Sequence, residues 1–388
     1  MNGWLALVVL LGPPTFPTRP CPPSGTFAAN PPQEMLRAFN APYDPETLRT
    51  SYGAQLVSVC PPQVVPGTPC AVHRVYRPGL GQDVREPLVV FLPGSGQEPA
   101  RHDFVLQTAA FAGYRTIGLS YDTTGTVESQ CPAAGDCLDC FGQARDEIIT
   151  GNDTRPTNLT VVQRSDSIVE RLHNLLRALE ADDLADGADD DHWGDFYNTF
   201  AAGTPPPNSV AVHMLRSIEW DKIILAGVSQ GAGHAARIAQ QKQVHGLVML
   251  DGGNDTCSAG QAANWYAEDN ASLGRPIYAV AHRHGDPNWA VPATWQALGF
   301  PSSFDDLDDH VIAPFGPTAV AITAQSRVPQ NSPETPNKPC TEHASMAKDG
   351  CMPTTVASQI AAATADDTYL FDKYLKRFCE VCDALTCP

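Results

Sequence analysis

The sequence predicts an α/β fold, a doubly wound and mostly parallel sheet with helices on both faces. Three observations predict it. Short apolar runs at 88–92, 223–226, 244–250, 276–281 and 319–324 are too short for helices and rich in Val, Ile and Leu, as strands buried on both faces are. Segments with a helical apolar period lie between several of them. Short connections between alternating elements give parallel strands joined by crossover helices.

Taken in order, residues 4–12 are apolar but too few to span a bilayer, and a Pro-rich stretch follows at 13–23. This resembles the hydrophobic region of a signal peptide and its exit, so residues 1–25 are set apart from the fold. Met1-Asn2-Gly3 lacks a basic lead-in and no clean small-x-small site follows, which leaves a buried N-terminal strand as the alternative. Residues 26–388 are expected to form a single domain. Strands are expected at 54–59 and 71–76. The run 88–92 stops at Pro93-Gly94-Ser95-Gly96, a strand ending in a flexible loop. A helix at 104–112 and a strand at 115–121 come next, then a turn-rich, cysteine-bearing loop at 122–140 and a short helix at 141–150. Ser167-Ile168-Val169-Glu170 has capping-box spacing, and Ile168, Val169, Leu172, Leu175, Leu176 and Leu179 recur at helical positions. An insertion at 182–219 opens with six aspartates in ten residues. After the strand at 223–226 and its helix, strands at 244–250 and 276–281 end in Asp251-Gly252-Gly253-Asn254-Asp255 and His282-Arg283-His284-Gly285-Asp286-Pro287. A helix near 295–300, a strand at 319–324 and a C-terminal helix at 366–382, with Tyr369, Leu370, Tyr374, Leu375 and Phe378 inward, complete the chain. Six strands from Leu88 onward alternate with helices.

The chemistry centres on Gly227-Val228-Ser229-Gln230-Gly231. This is Gly-x-Ser-x-Gly between a buried strand and a helix that begins with small residues, Ala232, Gly233, Ala235 and Ala236. A serine in a strained strand-to-helix turn needs small neighbours two residues away on either side. A small-residue helix packs close to the sheet, and its first amides face the serine, where they stabilise a developing oxyanion.

A formal net charge of -18, from 25 basic and 43 acidic residues, argues against a nucleic-acid or anionic-membrane partner, either of which needs a basic face. No later run reaches about 18 apolar residues, so no transmembrane helix is expected. Twelve cysteines indicate disulfides and an oxidising compartment. Sequence-adjacent groups are Cys60 with Cys70, Cys131 and Cys137 with Cys140, Cys340 with Cys351, and Cys379, Cys382 and Cys387, while Cys21 and Cys257 stand alone. Two Cys-x-x-Cys units, at 137–140 and 379–382, leave a four-cysteine zinc site as the competing possibility. Asn152, Asn158, Asn254 and Asn270 begin glycosylation sequons. The acidic run from Asp182 lacks the spacing and closing glutamate of a calcium loop, and is expected to be solvated.

Through Leu92-Pro93-Gly94-Ser95-Gly96, the turn at Ser229 and the order Ser, Asp, His, the chain resembles the α/β-hydrolase superfamily from about Leu88 onward. The resemblance implies that the loop after 88–92 supplies one oxyanion amide, from Ser95 or Gly96, beside that of Gln230. It implies a catalytic acid two strands after the serine, which is Asp286, with Asp251 and Asp255 as runners-up one strand earlier. The base must come from a loop after the last strand, and His343 is the only histidine beyond residue 324. Ser229 would attack an ester carbonyl, His343 would move the proton and Asp286 would orient His343, with no metal or organic cofactor required. The expected protein is a secreted serine esterase acting on a small-molecule or polymer ester. A serine peptidase or amidase and a non-catalytic binding protein of the same fold are the alternatives. Trp193, Phe196, Tyr197 and Phe200 in the insertion make one short apolar face before Pro205-Pro206-Pro207 breaks any longer helix. A mobile lipase-like lid is therefore not expected.

Overall fold

In a computed structural model of the chain, the residues described are 32–34, 72–79, 84–123, 125–131, 136–152, 162, 164–186, 191–198, 218–257, 260–272, 274–282, 291–298, 305–306, 319–324, 347, 349, 374–375 and 378–379. Among them, nine strands form one sheet. They are β1 (Gln33–Glu34), β2 (Arg74–Arg77), β3 (Leu88–Leu92), β4 (Arg115–Gly118), β5 (Ile223–Val228), β6 (Gly246–Leu250), β7 (Ile277–His282), β8 (Asp305–Asp306) and β9 (Ala319–Ala324). Their spatial order is β1-β2-β4-β3-β5-β6-β7-β9-β8. The β1–β2 and β2–β4 pairings are antiparallel and all the others are parallel. Parallel neighbours cannot be joined by a tight turn and need a crossover. The helices α1 (Asp103–Phe111), α2 (Val127–Gln130), α3 (Cys137–Thr150), α4 (Ile168–Asp186), α5 (Gln230–Gln241) and α6 (Val291–Ala297) lie in these connections.

Every residue of β3, β5 and β6 is buried, and the strand period of two sorts them between two cores. Val90, Leu92, Leu225, Leu247 and Met249 face α3, α4 and α5. Val89, Phe91, Ile224, Ala226, Val228, Val248 and Leu250 face α1 and the buried Tyr374, Leu375 and Phe378. The fold is therefore α/β, with a largely parallel sheet covered on both faces. β3 lies between β4 and β5, so the direction of winding reverses there. With α1 on one face and α5 on the other, the carboxyl ends of β3 and β5 are the switch point of the sheet, the place where such sheets bind ligands.

The differences from the expected elements have local causes. The helix expected at 141–150 begins at Cys137, because the Asp136 carbonyl already accepts from the amides of Asp139 and Cys140. β6 begins two residues late: the Val244 amide donates to Ser272 Oγ and that of His245 to the Ile223 carbonyl. α4 runs on through Asp186, so the first five residues of the acidic insertion are helix rather than loop. The next described part of the insertion is packed in place. Trp193 and Phe196 are buried in a 3₁₀ turn, the Arg115 guanidinium lies 4.8 Å from the Phe196 ring centroid, and the Gly194 amide donates to Glu180 on α4. The strand expected at 54–59, the N-terminal apolar run and most of 366–382 lie outside the described residues.

Candidate active site

Ser229 sits between β5 and α5 with φ 54° and ψ -123°. L residues populate this conformation sparsely, at a cost of about 1–3 kcal/mol, and it persists only where the surroundings over-determine it. Here they do. The Ser229 amide donates to the Leu250 carbonyl at the end of β6 (2.9 Å), and its carbonyl accepts from the Gly233 amide (3.3 Å). A Cβ on Gly227 would lie 2.6 Å from the Gly231 carbonyl carbon, and one on Gly231 would collide with the Leu92 and Pro93 carbonyls. The turn can be this tight only with glycine at both positions. Ser229 itself is half-buried, and the place a Cβ would take on Gly94 is 3.1 Å from its Cβ and 3.7 Å from its Oγ. The loop after β3 therefore lies against the serine.

That loop is held from several sides. The Gln97 amide closes a turn on the Gly94 carbonyl (3.1 Å), and Tyr121 donates its hydroxyl to the Pro93 carbonyl (2.6 Å). Burial pushes the Tyr121 pKa up, so the phenol stays protonated and can donate. Ser95 Oγ donates to Gln230 Oε1 (2.9 Å), which also accepts from the Val127 amide at the start of α2 (3.1 Å). Of the two residues expected to offer a loop amide, Gly96 already donates its own to the Thr123 carbonyl at 2.7 Å. The Ser95 amide donates to no described group, and neither does that of Gln230, at the first position of α5, where helical amides have no intrahelical partner.

Beneath this layer is a buried polar cluster. Arg145 on α3 donates from Nε and Nη2 to the two oxygens of Asp255 (2.6 and 2.5 Å), and Trp265 Nε1 donates to the same carboxylate (2.8 Å). Burial opposes the Arg145 charge, but Asp255 more than offsets it and raises the pKa. Asp255 is thus occupied with Arg145 and Trp265 rather than presented to a histidine. Arg145 Nη1 donates to the Gln230 carbonyl (3.1 Å) and lies 3.3 Å from His234 Nδ1. A guanidinium only donates, so His234 Nδ1 accepts and its proton is on Nε2. Burial, and then the Arg145 cation, hold His234 well below the ordinary imidazole value, and it is a neutral packing residue. Asp251, one residue past β6, is also buried and has φ 44°. Its amide donates to the Val280 carbonyl, and its charge contributes, after burial, to raising the Tyr374 pKa.

Asp286 and His343 lie outside the described residues. The chain just after His343 is fixed at two points. His102 Nδ1 donates to the Ala347 carbonyl (2.7 Å), and the Asp349 carboxylate accepts from the Asp103 and Phe104 amides, capping α1 from a distance of 245 residues and more in sequence. Arg145 and Tyr121 are not among the residues that the sequence singles out. A signal for Arg145 does exist in Gly233, an interior helix glycine, where a Cβ would collide with the guanidinium.

The sequence-adjacent grouping holds for Cys131 with Cys140 but not for Cys137. Cys131 is bonded to Cys140, and Cys137 to Cys257, 120 residues away. Cys379 is also disulfide-bonded, and none of the described cysteines is free. The first Cys-x-x-Cys unit is therefore engaged in disulfides, and no metal-ligand cluster occurs among the described residues. No described helix is long and apolar enough to cross a membrane. A cavity of about 510 Å³ lined by Glu86, Arg115, His192, Asp221, Lys222 and His245 lies at the amino ends of the strands, the opposite edge of the sheet from Ser229.

Neither a family model nor a curated protein sequence matches the chain. Among solved structures it is similar to a novel thermophilic esterase from the Planctomycetes species Thermogutta terrifontis. The TM-score is 0.33 and the identity 10%, covering 66% of this chain and 77% of that one. A similarity of that size leaves the chemistry to be argued from the residues themselves.

Proposed function

We propose that the protein is a secreted serine hydrolase of the α/β-hydrolase superfamily that cleaves carboxylic esters, with residues 26–388 as one domain. The observation that carries this is the conformation of Ser229. It is a non-glycine residue at φ 54° at the end of a central strand, with a glycine loop on one side and the amino end of α5 on the other. Strain of this kind needs a use, and lifting a hydroxyl out of a buried strand end at the switch point of the sheet is one.

In the proposed cycle Ser229 Oγ attacks the ester carbonyl while His343 takes its proton. The carbonyl oxygen, now negative, is held by the backbone amides of Gln230 and Ser95, each worth about 3 kcal/mol in the transition state. Gly96 is left out of this role because its amide is already bonded to Thr123. His343 then protonates the leaving alcohol, and Asp286 keeps the imidazole in the correct tautomer. Water, deprotonated by the same histidine, releases the acid and restores Ser229. His343 as base is supported by the docking of Ala347 and Asp349 at the start of α1, directly after the loop that flanks Ser229.

The buried Trp193 and Phe196 support a soluble short- or medium-chain ester, or a polymer ester, over an interfacial lipid, because these two aromatic residues of the insertion are spent on packing. The test is turnover of a p-nitrophenyl ester series by wild type and by Ser229→Ala, with circular dichroism to show that both are folded. Loss of turnover in the variant is expected, without a rise in wild-type rate at the solubility limit of the long-chain esters. Full turnover by the variant would remove Ser229 from the mechanism, and a rise at that limit would make the protein a lipase.

A further inference from the structure

We propose that Arg145 is the positioning residue of the oxyanion site, holding Gln230 in register with Ser229 from beneath the turn. The proposal rests on the serine-hydrolase reading, since it assigns Arg145 a part in that reaction.

The bidentate pairing of Arg145 with Asp255 would by itself suffice to staple α3 to the loop after β6. The remaining nitrogen, Nη1, does something else. It donates to the carbonyl of Gln230, the residue whose amide is proposed to meet the oxyanion. A bond to that carbonyl fixes the orientation of the peptide that follows Gln230 and so limits how far the residue can rotate at the helix start. The side chain of Gln230 is pinned in turn, because Oε1 accepts from Ser95 Oγ and from the Val127 amide. One residue thus ties the two proposed oxyanion donors together, and Arg145 holds that residue from below.

The surroundings are shaped for the guanidinium. A Cβ on Gly233 would collide with the guanidinium carbon, so glycine there leaves it room, and Gly142 on α3 lets Trp265 approach the same layer, with a Cβ there 3.1 Å from that of Trp265. Trp265 donates to Asp255, and His234 supplies an acceptor to Nη1. Both Arg145 and Asp255 are almost completely buried, so solvent does not compete for these bonds.

The experiment compares wild type, Arg145→Lys, and the double variant Arg145→Met with Asp255→Leu. Apolar replacement of both members of a buried pair commonly preserves folding, and lysine keeps a cation on Asp255 but lacks the fork needed to reach Gln230 as well. A control exchanges Arg237→Met with Asp146→Leu, a second bidentate pair between α3 and α5 that touches neither Gln230 nor Ser229. Turnover of a short p-nitrophenyl ester and the rate of phosphonylation by a fluorophosphonate are measured on each. A displacement of about 1 Å at a donor costs on the order of 100-fold. The expected result is therefore a fall of roughly 10- to 100-fold in kcat and in phosphonylation rate for both Arg145 variants, with KM within about twofold and the control unchanged. Wild-type kcat in folded Arg145→Lys would overturn the proposal, as would an equal loss in the Arg237 control. A wild-type protein that the probe does not label at Ser229 would overturn the hydrolase reading instead, and this proposal with it.

Discussion

The Cys137–Cys257 bridge offers a prediction whose size follows from topology. It closes a loop of 120 residues, against 9 for Cys131–Cys140. Cross-linking restricts the unfolded chain more as the loop lengthens, which gives about 5 kcal/mol for the long bridge and about 2.5 kcal/mol for the short one. The perturbation is replacement of each pair by alanine, which leaves the other pair in place. A melting entropy near 2.1 cal/mol/K per residue, taken over 388 residues, converts these to falls in Tm of about 6 °C and about 3 °C. Calorimetric melts of the two variants at one scan rate provide the assay. Equal shifts, or a larger shift for the short bridge, would show that loop length does not set the effect. Dithiothreitol should lower the Tm of wild type and have less effect on either variant.

Other predictions concern the turn, the acid and pH. Gly231→Ala places a methyl against the Leu92 and Pro93 carbonyls, neither of which can rotate away. It should destabilise by about 1–3 kcal/mol and lower kcat by on the order of 100-fold as the loop beside Ser229 is displaced; near-wild-type kinetics would show the turn to be looser than described. Asp286→Asn should lower kcat by about 10⁴-fold with the fold intact. Asp255→Asn should instead act first on stability, because it leaves the Arg145 cation buried without its partner. If Asp251→Asn produced the large kinetic loss and Asp286→Asn did not, the acid would lie at the end of β6. His73 is buried, accepts from the Ser120 amide, and has a pKa lowered from 6.5 to about 3, by burial first and then by Arg171. A depressed folded-state pKa means that the unfolded chain takes up the proton first. Stability is therefore fully present above pH 6.5 and declines as pH falls from there toward 3, by about 1.4 kcal/mol per pH unit for this group. His73→Gln, which keeps an acceptor for Ser120, should flatten the acid side of a stability–pH curve measured by denaturant titration; an unchanged slope would exclude His73 as its source.

The parts of this fold that can be read from sequence are those determined locally. Leu88–Leu92 and Ile223–Val228 are continuous apolar runs because both faces of a central parallel strand are covered. The conformation at Ser229 shows in its two flanking glycines because the collisions they avoid arise within the turn and with the adjacent strand. What could not be read is pairing across long separations. Arg145 and Asp255 are 110 residues apart and Cys137 and Cys257 are 120 apart, and no local pattern marks either pair, so in the sequence Cys257 stands alone and Asp255 is a candidate acid. Gly96 looked equivalent to Ser95 because nothing in Pro93-Gly94-Ser95-Gly96 foretells that Thr123 will take one of the two amides. The acidic stretch from Asp182 suggested a loop, yet α4 continues through it to Asp186; Asp183 there is buried, so the run is not uniformly solvated.

The most direct test of the central claim is covalent. Wild-type protein is incubated with a fluorophosphonate, digested, and the modified peptide is identified by mass spectrometry, alongside Ser229→Ala treated in the same way. One adduct per chain is expected, on Ser229, and none in the variant. An unlabelled wild type, or an adduct on another residue that persists in Ser229→Ala, would contradict the assignment of Ser229 as nucleophile.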